Sequence, residues 1–95
     1  MTTKAKALFT LGTIVATPGA MEALETAGAT PLALLARHVT GDWGELASED
    51  RAANDRAVDG EERILSAYNL PDGTRVWVIT EWDRCTTTLL LPEEY

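Results

Sequence analysis

Basic residues are scarce in this chain of 95: eight lysines and arginines stand against fifteen carboxylates, a formal charge of −7 at neutral pH. Gripping nucleic acid requires lysines and arginines to neutralise phosphates, so direct binding of DNA or RNA is not expected. The partner expected is another protein with a basic surface. Histidine and cysteine are represented once each, by His38 and Cys85. One of each, far apart, provides neither the number nor the spacing of zinc ligands, and a single cysteine closes no internal disulfide. No metal and no cofactor are expected. Cys85 falls inside a predicted strand and reads as a small buried hydrophobe in a reducing compartment, which makes a cytoplasmic location the expectation.

Long apolar runs are also missing, so no membrane span is expected. The apolar stretch after Lys4 and Lys6 is interrupted by Gly12, Thr13 and Thr17 without a signal-type continuation, and the start reads as mature protein. There is no repeat, low-complexity tract or linker. A Gly-rich phosphate loop is absent, Gly41-x-x-Gly44 being a turn, and Ser66 lacks the setting of a nucleophile elbow.

What is present is concentrated in the last third. Ile64 to Leu70, Arg75 to Thr80 and Cys85 to Leu91 are three strand-like runs separated by Pro71-Asp72-Gly73-Thr74 and Glu81-Trp82-Asp83-Arg84. Proline presets φ, aspartate accepts from the backbone two residues on, and glycine allows positive φ, so the first break is a hairpin turn. The runs predict an antiparallel meander. In the middle strand Val76 and Val78 face one way and Trp77 and Ile79 the other, so it belongs near the centre of a sheet.

Upstream, Ala7 to Ala16 predicts a strand with a bulge or close backbone approach at Gly12. Thr17-Pro18 and Thr30-Pro31 each read as an N-cap followed by proline at the first helical position, with stops at Gly28 and Gly41. Ser48 caps a third, more polar helix that ends near Gly60. Residues 1–95 are thus expected to form a single α+β domain: an N-terminal strand, three short helices, then a three-stranded antiparallel meander in one sheet with helices on one face. The first strand joins the meander at an edge or at the centre. Trp77, Ile79, Leu35, Leu24 and Tyr68 are expected in one core, with Trp43 also buried.

Two polar groups invite a functional reading. His38, at the end of the second helix, is placed where the helix dipole favours its charged form, which makes it structural; as a general acid or base it needs a carboxylate partner such as Asp42. Trp82, within Thr80-Glu81-Trp82-Asp83-Arg84, has the composition of a partly exposed aromatic anchor flanked by charge. Glu61, Glu62, Glu93 and Glu94 are the carboxylates expected to meet a basic partner.

The residues Arg37-His38, Gly41-Asp42-Trp43-Gly44, Glu49-Asp50, Asn54, Ile64-Leu65-Ser66-Ala67-Tyr68, Asp72-Gly73, Trp77, Thr80-Glu81, Asp83-Arg84, Thr87-Thr88 and Leu91-Pro92-x-x-Tyr95 together resemble a family of small uncharacterised proteins carried on bacterial plasmids and integrative elements. Members are labelled plasmid-related protein or the modification subunit of a type I restriction enzyme. The second label implies a Gly-rich cofactor turn and an Asn-Pro-Pro-aromatic motif, and this chain has neither. The first implies an accessory protein of a mobile element that binds another protein, such as a host defence component, and is not an enzyme. A looser likeness is to small ribonuclease toxins of the RelE and barnase-like group. That likeness implies His38, Arg84, Thr87 and Tyr95 as catalytic candidates in a metal-independent nuclease or an inactive relative, although such toxins are basic and this chain is acidic.

Overall fold

A computed structural model describes residues 6–95; residues 1–5, with Lys4 of the opening lysine pair, lie outside the described part. The elements run β1 (Thr13–Ala16), α1 (Pro18–Ala27), α2 (Pro31–Val39), α3 (Ser48–Ala57), β2 (Ile64–Asn69), β3 (Arg75–Thr80) and β4 (Thr86–Leu90), with a 3-10 turn at Pro92–Glu94. The strands form one sheet in the order β1-β4-β3-β2. The meander pairs antiparallel as its turns dictate, while β1 adds to the edge beside β4 in parallel, Thr13 opposite Thr86 and Ala16 opposite Leu89. The sheet is therefore mixed. A parallel partner follows from the three helices that separate β1 from the meander, which carry the chain back across the sheet to the end at which β1 began. No helix among the described residues is long and apolar enough to cross a membrane.

The two threonine-proline starts behave as their chemistry requires. Thr17 and Thr30 accept from the backbone N–H groups of Ala20 and Ala33, at 3.1 and 3.2 Å, and proline occupies the first turn of each helix. The third helix begins differently, with Ala47 at the cap position, Ser48 already helical and no side-chain cap bond. The predicted first strand is shorter than its apolar run. Residues before Thr13 leave the sheet and cross beneath the helices, where the Leu8 N–H donates to Val39 and Phe9 lies edge-on to His38 and stacked on Trp43. Gly12 is the close approach expected there: a Cβ at that position would fall 2.3 Å from the Cys85 carbonyl carbon. Cys85 itself precedes β4 and is exposed, contrary to its expected burial, because β4 begins one residue later at the end of a tight turn.

The helices cover one sheet face. Ala20 and Leu24 of α1, Leu34 and Leu35 of α2, and Tyr68, Val76, Val78 and Leu89 of the sheet form the main core. Trp43, Ala57 and Ile64 form a smaller cluster beneath α3. The expected single core containing Trp77 and Ile79 is corrected by strand alternation: Val76, Val78 and Thr80 point at the helices, so Trp77 and Ile79 occupy the opposite face. Ile79 is buried there by its neighbours, whereas Trp77 is only partly covered, its ring 5.6 Å from that of Tyr95.

The β2 edge is closed by the segment after α2. The Ala67 N–H donates to the Trp43 carbonyl and the Glu45 N–H to the Ala67 carbonyl, a short parallel bridge. Asn54 of α3 completes the edge, donating from Nδ2 to the Leu65 carbonyl and accepting the Leu65 N–H. Gly44 sits so close to this edge that a Cβ would lie 2.0 Å from the Ala67 oxygen, and its φ is +76°. Gly73 has a similar φ of +89° with nothing within 4 Å. Gly73→Ala is accordingly expected to cost about 1 kcal/mol, the strain of positive φ alone. Gly44→Ala should cost several times as much, because the Gly44 bridge must separate. Urea melts of the two variants measure the difference, and equal losses would refute the close approach.

Candidate functional site

His38 is fully buried where α2 meets the sheet. Its Nδ1 is 2.6 Å from Ser66 Oγ on β2, and its Nε2 is 2.9 Å from Thr80 Oγ1 on β3. Thr80 Oγ1 is 2.7 Å from Thr87 Oγ1 on β4, and the Thr87 hydroxyl donates to the Leu11 carbonyl at 2.7 Å. Each hydroxyl has one proton, so the direction of the whole chain follows from its end. Thr87 gives its proton to Leu11 and must accept from Thr80. Thr80 must then accept from His38, which fixes the proton on Nε2 and leaves Nδ1 to accept from Ser66. The neutral imidazole satisfies every member, and among the described residues no buried side-chain nitrogen or oxygen is unpaired.

Burial holds His38 in this neutral form, lowering its pKa to about 4. The expectation of a dipole-stabilised charge is thereby corrected: desolvation in an apolar pocket outweighs the helix terminus. Asp42 is not its partner either. That carboxylate is taken by Arg37, Nε to Oδ2 at 2.6 Å and Nη2 to Oδ1 at 3.2 Å, and this hydrogen-bonded pairing lowers the Asp42 pKa and raises that of Arg37. The Asp42 backbone carbonyl accepts from the Tyr68 hydroxyl at 2.6 Å, and burial raises the Tyr68 pKa to about 12.

Arg84 follows the β3–β4 turn in the left-handed region, at φ 61°. Its Nη2 donates to the carbonyls of Ala57 and Gly60, and its Nη1 to those of Glu62, Glu81 and Trp82. One guanidinium thus clasps the end of α3 and the loop before β2 to the β3–β4 turn, and the plane of its five donors suits that task as a lysine ammonium would not. The two clasped segments carry Asp59, Glu61, Glu62, Glu81 and Asp83, and Trp82, in the second of them, has 58% of its surface exposed. Among the described residues none of these five carboxylates is in an ion pair.

The four nuclease candidates do not form a cleft. His38 and Thr87 are joined through Thr80 but have no exposed surface; the Arg84 guanidinium is occupied by carbonyls; Tyr95 lies exposed on the far sheet face, against Trp77 and beneath Arg63. The acidic candidates divide. Glu61 and Glu62 share the Trp82 tip. Glu93 and Glu94 lie at the other end of the strands, where Glu94 accepts from the Thr17 hydroxyl at 2.6 Å and the Leu91 N–H at 2.8 Å, bonds that lower its pKa. Asp59 was not singled out by sequence reasoning because the arginine that draws its loop toward Trp82 is 25 residues away. No group of three or more His, Cys, Asp or Glu side chains among the described residues is arranged to hold a metal. Comparison with known proteins finds no matching family model, no matching curated protein and no matching solved structure.

The sign of the pH dependence follows from His38. The unfolded chain takes up a proton near pH 6.5 and the folded chain only near 4, so between these values the unfolded state binds more protons and stability falls with falling pH. The full difference is roughly 3 kcal/mol, a large share of the stability of a small domain. Chemical denaturation at pH 7, 5.5 and 4.5 should show this loss. His38→Gln should remove that component of the slope whatever its own stability, and an unchanged slope in that variant would contradict the assignment.

Proposed function

We propose that this chain is an acidic binding module that docks on the basic surface of another protein through the Trp82 tip. The observation that carries the reading is the Arg84 clasp, which gathers two acidic segments around an exposed tryptophan and keeps its own positive charge turned inward onto carbonyls. An aromatic anchor ringed by charge suits an interface in which the ring supplies the buried contact and the carboxylates supply steering and orientation. With unneutralised carboxylates at the tip and a net charge of −7, the chain suits a partner whose own site is built for phosphate. In the setting implied by the likeness to proteins of plasmids and integrative elements, that partner is a host defence component with a basic nucleic-acid site.

Capture of partners from the host followed by binding kinetics tests this. Glu61→Lys with Glu62→Lys should slow association and flatten its salt dependence, since exposed charges act over a Debye length of about 10 Å at 0.1 M salt. Trp82→Ala should instead accelerate dissociation, by about 30-fold or more if the ring is a hot spot worth at least 2 kcal/mol. Glu93→Lys, at the other end of the sheet, should leave the association rate within about twofold. Salt-insensitive binding, or direct binding of the purified chain to RNA or DNA, would overturn the reading.

A further inference from the structure

The two edges of the sheet are treated differently. On the β2 edge the outward N–H and C=O groups of Leu65 and Ala67 are all engaged, by Asn54, Trp43 and Glu45. On the other edge, β1 turns toward β4 through alternate residues, with the Thr13 and Thr17 N–H groups donating to Cys85 and Leu89. Parallel pairing therefore turns the backbone groups of Ile14 and Ala16 outward, and no hydrogen bond among the described residues takes them up. Ile14 is 49% and Val15 45% exposed, on opposite faces of the strand. Apart from its shortness, β1 has none of the usual protections of an open edge: it contains no lysine, proline, bulge or inward charge.

We propose that this edge pairs with the same edge of a second copy of the chain, joining two four-stranded sheets into one of eight strands. Charge selects this occupant. No residue from Ala7 to Met21 is charged, the longest uncharged stretch of an acidic molecule, so two copies meet there with little repulsion at the contact itself, and the nearest carboxylate, Glu94 at Thr17, is already bonded within its own chain. Two-fold symmetry requires antiparallel pairing of like strands. The outward groups then dictate the register: Ile14 exchanges both hydrogen bonds with Ala16 of the second copy, and Val15 faces its own equivalent in the closer, non-hydrogen-bonded position. The two Trp82 tips point to opposite ends of the joint sheet and remain free. A four-residue edge buries less than a standard interface, so the dimer is concentration-dependent. Its salt dependence is opposite to that of the tip: salt screens the repulsion between two chains of like charge and strengthens the pairing.

Analytical ultracentrifugation of the purified chain, from micromolar to millimolar and at low and high salt, tests the proposal without any partner. The expected result is a monomer–dimer equilibrium favoured by salt, at least tenfold weaker in Ile14→Lys and unchanged in Trp82→Ala. Cross-linking fixes the register. In a Cys85→Ser background, Val15→Cys should oxidise to a covalent dimer, since facing Cα atoms in such a pair are about 4.5 Å apart, within the span of a disulfide. Leu32→Cys, at an exposed position of α2, should not. A chain that stays monomeric at millimolar concentration, or a dimer indifferent to Ile14→Lys and not cross-linked through Val15→Cys, would overturn it.

Discussion

One buried imidazole constrains most of this molecule. His38 joins α2 to β2 through Ser66 and to β3 through Thr80, and Thr80 passes the connection to β4 and to the segment entering β1 through Thr87 and the Leu11 carbonyl. Each link needs its neighbour in place, because an unpartnered hydroxyl or ring nitrogen at this depth would carry its full desolvation cost. The chain runs one way only, so it also specifies a proton on Nε2, and burial keeps the ring neutral. A histidine committed in this manner is unavailable for proton transfer with a substrate, and Phe9 and Trp43 pack around it without leaving a route to solvent.

With the interior fixed, the two ends of the sheet are finished differently. At one end of the strands Arg84 acts on backbone alone, drawing together the α3–β2 loop and the β3–β4 turn, two carboxylate-rich segments, the second of which carries Trp82. At the other end Glu94 bonds to the cap of α1 and Tyr95 lies over Trp77, which secures the end of the chain against the sheet. Between them, the closed β2 edge and the open β1 edge give the sheet one protected side and one that is still able to pair.

Much of the fold is legible in local chemistry. The Pro71-Asp72-Gly73-Thr74 turn, the threonine-proline helix starts and the exposed Trp82 each depend on residues within a few positions, and each is found where the sequence places it. Four features are not local. The parallel placement of β1 depends on how three helices cover the sheet; the shortening of its strand depends on Phe9 being worth more against His38 and Trp43 than in a ladder. The face of β3 that receives the helices is undetermined when both faces are apolar, which is why Trp77 fell on the opposite side. The partners of His38 and Arg84 lie up to 42 and 27 residues away. Ser66, Thr80 and Thr87 did carry a signal, as hydroxyls on the core-facing positions of three neighbouring strands, with one buried histidine to join them.

His38 is thus a neutral structural node at the centre of the fold. Heteronuclear NMR of the imidazole nitrogens tests this most directly. The directional chain predicts an Nε2–H tautomer at neutral pH that stays unprotonated until the pH approaches about 4. An Nδ1–H tautomer, or a ring that titrates between pH 6 and 7, would contradict it and return His38 to the candidates for chemistry.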